Sequence, residues 1–136
     1  KWDLLNEEDK LNINSNLKNQ LKKFSWLNVI RISALTTKGL NKFSKTLNEV
    51  NSQLNNRIDT SDLNLYFREL WVAKPPHPFR GKRAKLKYVT QYDISPPSFS
   101  FNLSSRIPKN YYSFIENKLR EEFGFKNVSL RIKYKT

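Results

Sequence analysis

The second half of the chain contains three short stretches in which apolar and polar residues alternate, the pattern of strands that bury one face. In one stretch Phe99, Phe101 and Leu103 stand between small polar residues. In another, every second residue from Val128 to Tyr134 is apolar, and the positions between them are mostly basic. Each of these stretches therefore predicts a strand with one buried face and one polar or cationic face.

The remaining stretch, residues 84–92, alternates in the same way, and its register decides which residues face the core. We assign the apolar face to the even-numbered positions Ala84, Leu86, Tyr88, Thr90 and Tyr92. The opposite face then carries Lys85, Lys87, Val89 and Gln91. This register predicts that Tyr88, like Phe99, is a core residue rather than a platform for base stacking.

Helical periodicity accompanies these strands. After Pro108 an apolar stripe recurs every four residues until Gly124, which stands where a left-handed cap is expected. The stripe consists of Tyr111, Ile115, Leu119 and Phe123. A second stripe precedes the strands and consists of Leu63, Tyr66, Phe67 and Leu70. The order α-β-β-α-β predicts an α+β domain of KH-like type over residues 57–136, with a three-stranded sheet covered by helices on one face.

The first half of the chain has the pattern helix, strand, helix. An acidic helix start lies at residues 6–9, and residues 27–32 form a short apolar run that fits a buried parallel strand. The next helix has one apolar face, formed by Leu40, Phe43, Leu47 and Val50. Because one strand cannot form a sheet, we interpret residues 1–56 as the C-terminal end of an α/β domain and the chain as a fragment of a longer protein.

Basic residues are concentrated in the strand-rich half. The 136 residues carry a formal net charge of +13. Up to Ala73 there are 11 lysines and arginines against 8 acidic residues, and after it there are 14 against 4. A positive field of this kind favours a polyanionic partner such as nucleic acid, and the other interpretation is a solvated surface without a partner.

Several kinds of chemistry are missing from the sequence. There is no cysteine, which excludes disulfides and thiolate metal sites, and the single histidine, His77, lies in a proline-rich segment. No apolar run has the length of a membrane helix, so we expect no membrane partner. No GxxxxGK(S/T) loop occurs, so we predict neither a catalytic residue nor a metal ligand in this chain.

Four segments along the second half carry a family resemblance. They are Thr60-x-x-Leu63-Asn64, Gly81-Lys82-Arg83-x-Lys85, Lys87-Tyr88-x-Thr90-Gln91 with Pro96-Pro97-x-Phe99, and Glu116-Asn117-x-Leu119-Arg120-Glu121-x-Phe123-Gly124-Phe125. In this order they resemble the C-terminal end of the EngA (Der) family of tandem-GTPase ribosome assembly factors. Near the start, Lys1-Trp2-Asp3 resembles the end of the NKxD guanine-reading motif of P-loop GTPases, and Ser33-Ala34-Leu35 resembles their later SA motif.

The resemblance implies two GTPase domains followed by a KH-like domain, acting on the large ribosomal subunit with GTP or GDP, Mg²⁺ and ribosomal RNA as ligands. Residues 1–56 would be the end of the second GTPase domain, and Mg²⁺ would be bound by a missing upstream part. The parent protein would hydrolyse GTP, whereas this segment lacks the phosphate-binding loop and would not do so alone. The protein would be cytoplasmic in a bacterium or located in an organelle such as a plastid.

The resemblance places a guanine site at Lys1, Asp3, Ser33, Ala34 and Leu35. The Asp3 carboxylate would accept hydrogen bonds from the N1 and N2 donors of guanine and would meet mismatched groups on adenine. The Lys1 stem would lie along the base, and backbone donors of Ser33 and Ala34 would approach the guanine oxygen. The other interpretation is that Asp3 is only the N-cap of the following helix.

RNA binding is predicted for seven basic residues on or beside one face of the sheet. They are Lys82, Arg83, Lys85, Lys87, Arg131, Lys133 and Lys135. The sequence has no GXXG loop, so the usual KH contact to a nucleic-acid backbone is missing, and the cations suit phosphates better than base edges. Two functions remain open: a GTPase-coupled ribosome assembly factor that binds rRNA, or an interaction module that docks on the upstream GTPase domains or another partner domain without RNA.

Overall fold

The computed structural model describes the backbone of residues 1–136 and every side chain except that of Lys23. The chain divides into two units, residues 1–52 and residues 53–136. The division falls in the last turn of a helix, slightly before the boundary predicted at residue 56.

The first unit contains two helices joined by turns and segments without regular secondary structure. The helices are α1, Glu7–Gln20, and α2, Leu40–Leu54, and 3-10 turns lie at Trp2–Leu4 and Lys22–Phe24. Residues 27–32, where the sequence predicts a buried strand, form no strand in the described chain, and Leu27 and Ile32 are 37% and 40% exposed. A strand needs a neighbouring strand for its ladder of backbone hydrogen bonds, and among the described residues no strand pairs with this segment.

The start of α1 shows which residue is the N-cap of this helix, a role that the sequence left open for Asp3. Asn6 is the N-cap, because its Oδ1 accepts a hydrogen bond from the backbone N of Asp9 at 2.7 Å. Asp3 lies before this cap, in the Trp2–Leu4 turn. Asp3 is therefore not the N-cap of α1.

The second unit follows the predicted order of elements. They are α3, Thr60–Ala73; β1, Leu86–Ile94; β2, Pro97–Leu103; α4, Lys109–Phe123; and β3, Arg131–Lys135. The sheet order is β1-β2-β3, in which β1 and β2 are antiparallel and β2 and β3 are parallel. The parallel pair is possible because α4 provides the crossover between its strands. The predicted three-stranded α+β unit is confirmed.

The core of this unit consists of aromatic and aliphatic side chains from α3, α4 and the sheet. The rings of Phe67 on α3 and Phe101 on β2 meet edge to face, with centroids 4.9 Å apart. Trp71 on α3 and Tyr111 on α4 meet in the same way at 5.1 Å. The Tyr111 hydroxyl donates to the carbonyl of Lys74 at 2.6 Å, and burial raises the pKa of Tyr111 to about 12, so it remains a donor at neutral pH.

The register of β1 differs from the prediction because the strand contains an extra residue near its start. Leu86 pairs with Leu103 of β2, yet Tyr88 pairs with the adjacent residue Asn102. Neighbouring residues of β2 point to opposite faces of the sheet, and Leu103 is buried. Leu86 and Tyr88 therefore face opposite sides, although a regular strand would place them on the same side.

Burial along β1 follows this shifted register. Val89 is fully buried and Gln91 is 5% exposed, whereas Tyr88 and Tyr92 are 49% and 43% exposed. A second irregularity lies between Gln91 and Asp93, with Tyr92 as the residue between them. The prediction that Tyr88, Thr90 and Tyr92 face the core is therefore wrong, and so is the placement of Val89 and Gln91 on the opposite face. One extra residue reverses the direction of the side chains that follow it, up to the second irregularity.

Two side-chain amides, those of Asn64 and Gln91, make hydrogen bonds at the outer edge of β1. Asn64 on α3 donates Nδ2 to the carbonyl of Val89 at 2.8 Å and accepts from the Val89 backbone N at 2.9 Å. Gln91 accepts from the backbone N of Ile58 at 2.8 Å and donates to the carbonyl of Asn56 at 3.1 Å. Asn64 thus provides partners for the edge backbone groups of Val89, and the buried Gln91 side chain finds partners in residues 56 and 58. These hydrogen bonds attach α3 and residues 56–58 to the sheet.

The end of α4 is fixed by a glycine and a buried arginine. Gly124 adopts a left-handed conformation with φ of 78°, as the sequence predicts. Arg120 is 7% exposed, and its Nη1 donates to the carbonyls of Phe125 and Val128, both at 2.8 Å. Its Nη2 donates to Glu116 Oε1 at 2.8 Å. Arg120 therefore holds the connection between α4 and β3 in place.

Among the described residues, no helix combines the length and the apolar character needed to cross a membrane.

Candidate functional site

The sheet has one face that the helices do not cover, and we call it the open face. It comprises Tyr88, Thr90 and Tyr92 of β1, Ser100 and Asn102 of β2, and Arg131, Lys133 and Lys135 of β3. All of these residues except Arg131 line a depression of about 310 Å³. Aromatic, small polar and basic side chains therefore occupy three adjacent strands in that order.

Strand pairing arranges the open face in rows. Ser100 pairs with Thr90 on one side and with Lys133 on the other. Asn102 likewise stands between Tyr88 and Lys135. Each row thus runs from a hydroxyl or aromatic group to an ammonium group across neighbouring strands, which lie about 4.8 Å apart.

Lys133 and Tyr92 are in direct contact across the open face. The Lys133 ammonium lies over the Tyr92 ring, 4.7 Å from its centroid. Such a cation–π contact contributes about 0.5–1 kcal/mol at an exposed site. Arg131, Lys133 and Lys135 are exposed, and no ion pair involves any of them in the described part of the chain. Their charge is therefore available to an anionic partner.

The other predicted RNA-binding residues lie elsewhere in this unit. Lys82 lines a second depression, of about 440 Å³, together with Arg80, Arg106, Ser104 and Ser105. Arg83 and Lys85 are exposed in the segment that leads into β1, and Lys87 is exposed at the first irregularity of that strand. The seven predicted residues therefore do not share one surface, because only the three on β3 lie along the open face.

The predicted guanine residues lie in the first unit, and two of them are in contact. A hydrogen bond from Ser33 is the main cause that lowers the pKa of the exposed Asp3 carboxyl below its usual range. Ser33 is fully buried, whereas Lys1, Ala34 and Leu35 are exposed. The Trp2 backbone N donates to the carbonyl of Ile32 at 3.4 Å, which joins the two segments.

The loop after Ser33 is closed by short-range hydrogen bonds. The Ser33 backbone N donates to the carbonyl of Lys38 at 3.0 Å, and the Thr36 backbone N donates to Ser33 Oγ at 3.2 Å. Gly39 has a φ of 84°, and a Cβ at this position would collide with the carbonyl oxygen of Arg31. Only glycine fits this position without moving the backbone, so Gly39 fixes the path of the loop.

Sequence reasoning misses the five open-face residues of β1 and β2. The predicted register assigns Tyr88, Thr90 and Tyr92 to the apolar face, and it treats Ser100 and Asn102 only as spacers between core residues. Strand alternation cannot reveal an inserted residue, because the same letters fit both registers. One signal was present: the odd-numbered positions hold the β-branched Val89, which is typical of a buried strand residue.

Comparison with known proteins identifies the family. The sequence profile described as "KH-domain-like of EngA bacterial GTPase enzymes, C-terminal" matches residues 57–135. A GTPase Der from Chlorobium limicola is 34% identical over 138 aligned positions, which cover 98% of this chain and 32% of the relative. The GTPase Der of Salinispora arenicola is 32% identical and covers 97% of this chain and 28% of the relative. That of Chlorobaculum tepidum is 33% identical, with 98% and 32% covered.

The chain thus spans about a third of the length of these curated relatives. The profile covers more than half of the chain, and it coincides with the unit that contains α3, α4 and the sheet. This chain belongs to the family of KH-domain-like C-terminal domains of EngA bacterial GTPase enzymes.

Proposed function

We propose that this chain is the C-terminal segment of a GTP-binding protein that acts in assembly of the large ribosomal subunit, and that its KH-like unit binds ribosomal RNA. The observation that carries the proposal is the alignment of Arg131, Lys133 and Lys135 along β3 on the open face. All three are exposed and have no acidic partner among the described side chains. Cations spaced two residues apart along a strand suit the phosphates of a nucleic-acid backbone. The relatives named GTPase Der support the GTP-binding part.

We assign residues 1–56 to the end of a GTPase domain. In residues 1–52 no described hydrophobic side chain is buried, and Phe43, Leu47 and Leu35 are 43%, 51% and 83% exposed. Apolar groups in this number are normally covered, and the remainder of an α/β domain would cover them. This observation also fits residues 27–32, which form no strand here and would gain a strand partner in such a domain.

The residues of the first unit fit a guanine base but not the rest of the nucleotide. The lowered pKa keeps the Asp3 carboxyl ionised, which suits an acceptor for the guanine N1 and N2 donors. No cluster of acidic or histidine side chains that could bind a metal ion exists among the described residues. We therefore assign Mg²⁺, the phosphate contacts and GTP hydrolysis to parts of the protein outside this chain.

The RNA proposal predicts a change in salt dependence when the open face loses charge. Replacing Lys133→Ala and Lys135→Ala together should weaken binding of the chain to large-subunit rRNA. The slope of log affinity against log salt should fall by about 0.7–0.9 for each lost phosphate contact. The matched control is Lys42→Ala with Lys45→Ala, which removes the same charge from exposed positions on α2. Filter binding over a salt series measures both variants.

An equal loss in the two double variants would mean that net charge, not the open face, governs binding. Unchanged affinity and slope in the Lys133 and Lys135 variant would favour the docking function instead. In that case the chain should bind the isolated GTPase domains of the Chlorobium limicola relative tightly in the absence of RNA.

The guanine proposal predicts altered nucleotide preference at Asp3. In a chimera in which this chain replaces the corresponding part of the Chlorobium limicola GTPase Der, Asp3→Asn should weaken GDP binding by about tenfold or more. Xanthosine diphosphate should bind better, because the new amide can donate to the oxygen that replaces the guanine amine. Titration calorimetry measures both nucleotides. Unchanged GDP affinity would remove Asp3 from the site, and Asp9→Asn, an exposed acidic residue on α1, is the control.

A further inference from the structure

Two aromatic rings on the open face are exposed to an extent that core packing does not require. Tyr88 and Tyr92 are 49% and 43% exposed, although both lie in the middle of a strand of the sheet. The buried side chains of this part of β1 are Val89 and Gln91, on the opposite face of the sheet. Tyrosine offers a flat apolar surface on which a nucleobase can stack.

The two rings are far enough apart to receive two different bases. The two residues are four steps apart along the strand, a distance of about 13 Å at the usual rise of a β-strand. Thr90 lies between them on the same face and pairs with Ser100 of β2. A nucleic-acid strand running along β1 would therefore meet an aromatic ring, a hydroxyl and a second aromatic ring in succession.

The cations lie where the backbone of such a strand would need them. The Lys133 ammonium lies over the Tyr92 ring, so a base that stacks on that face displaces it toward the adjoining phosphate. Lys135 occupies the same row as Tyr88, two strands away. A base on either ring would therefore have an ammonium group within reach of its phosphate. The positive side chains on β3 are complementary to a polyanion, and in the described chain no acidic side chain pairs with them.

One buried polar atom under the open face has no partner. Ser100 is 5% exposed, and its Oγ makes no hydrogen bond to any described group. Buried hydroxyl groups are normally hydrogen-bonded, and an exception in a surface depression indicates a place where a ligand group could bind. Ser100 lines the depression between Thr90 and Lys133, directly beside the tyrosine strand.

We propose that the open face binds single-stranded RNA by stacking separate bases on Tyr88 and Tyr92, with Lys133 and Lys135 on the adjoining phosphates and Ser100 Oγ as a hydrogen-bonding group for the bound strand. The inference rests on the proposed RNA-binding function and specifies its ligand. In a duplex the base faces are already stacked on one another, so the rings would have no surface to contact. The open face therefore selects unpaired segments and tolerates different sequences, because every base has a flat face.

The test compares three RNA probes on the 136-residue chain by fluorescence anisotropy. They are a mixed-sequence single strand of about ten nucleotides, the same strand in a duplex, and an abasic strand of equal length, which has the phosphates but no bases. The wild type should bind the single strand about tenfold or more tightly than the other two probes. Tyr88→Leu with Tyr92→Leu should reduce the affinity for the single strand to the level of the abasic strand and leave the salt slope unchanged.

The matched control keeps the rings. Tyr88→Phe with Tyr92→Phe should bind the single strand as the wild type does, because stacking needs the ring and not the hydroxyl group. Circular dichroism checks that both double variants are folded. If the phenylalanine variant lost affinity together with the leucine variant, the tyrosines would act through their hydroxyl groups and the stacking inference would be wrong.

The outcomes separate this inference from the function on which it rests. Equal wild-type affinity for the single strand and the abasic strand, with a steep salt dependence, would overturn base stacking while RNA binding through phosphates remained. Preference for the duplex would overturn it as well. No binding to any of the three probes, even at low salt, would reject the RNA-binding function and the inference together.

Discussion

Replacing Val89→Asp should unfold the unit formed by residues 53–136, whereas Tyr88→Asp at the neighbouring position should leave it folded. Val89 is fully buried against the helices, and its backbone groups pair with Asn64 of α3. A carboxylate at this position would be buried without a cation or a hydrogen-bond donor to pair with it. An unpaired buried charge costs several kcal/mol, so we expect a loss of more than about 4 kcal/mol in the free energy of unfolding.

Tyr88→Asp is the matched control, because the same new side chain enters the adjacent residue of the same strand. Tyr88 is 49% exposed, and its replacement should change the free energy of unfolding by about 1 kcal/mol or less. Urea denaturation followed by circular dichroism measures both variants. If Tyr88→Asp were the variant that unfolds, the regular alternation predicted from the sequence would be correct and the irregularity after Leu86 would not exist.

Replacing Arg120→Met should destabilise the same unit by about 2–4 kcal/mol. The methionine fills much of the same space, but it cannot donate to the carbonyls of Phe125 and Val128, which the Arg120 guanidinium now satisfies. A buried acceptor that loses its donor costs about 1–3 kcal/mol. The loss should also loosen the approach to β3, since these carbonyls belong to the segment between α4 and β3.

Arg68→Met provides the comparison for this prediction. Arg68 is exposed on α3, so the same substitution should change the free energy of unfolding by about 0.5 kcal/mol or less. Both variants can be measured in urea. An effect of equal size at the two positions would mean that the loss of an arginine, and not the loss of these two hydrogen bonds, determines stability.

The order of elements in the second unit could be predicted because several independent signals agree. The stripe that includes Ile115 and Leu119 has helical spacing, and Gly124 stands directly after it. The alternation on β2 and β3 is regular, so Phe99, Phe101 and Ile132 fall on the side facing the core, as the sequence predicts. Local pattern and tertiary packing require the same register in these elements, and the prediction is correct there.

The faces of β1 could not be predicted in the same way. Regular alternation from Leu86 places Tyr88, Thr90 and Tyr92 on the core face. An extra residue between Leu86 and Tyr88 places Val89 and Gln91 there instead, and the sequence pattern fits both registers. What selects the observed register is tertiary: Asn64 pairs with the Val89 backbone, and Gln91 pairs with residues 56 and 58. These contacts join positions far apart in sequence, so no local pattern contains them.

In the candidate sites, too, some residues can be predicted from the sequence and others only from the structure. Alternation alone predicts the open face for the cations of β3, and the structure places Lys133 and Lys135 around one depression with Tyr88, Tyr92 and Ser100. Alternation assigns the two tyrosines to the opposite face and gives Ser100 no role in binding. In the first unit, the sequence resemblance names Asp3 and Ser33, and the Ser33 side chain lowers the pKa of the Asp3 carboxyl. The role of Gly39 in that loop depends on its distance from the Arg31 carbonyl, which a sequence does not contain.

The proposal that the open face binds RNA is tested most directly by NMR on the chain labelled with ¹³C and ¹⁵N and titrated with a single-stranded RNA. The largest amide shift changes should fall on β1 and β3 near Tyr88, Tyr92 and Lys133 and on β2 near Ser100. Backbone amides of Val89 and Phe101, whose side chains face the core, lie in the same strands and will also shift. The side-chain signals of Tyr88, Tyr92 and Lys133 therefore distinguish the open face better, and they should shift more than those of Val89 and Phe101. Shift changes confined to α3 and α4, or to the depression around Lys82 and Arg106, would contradict the claim.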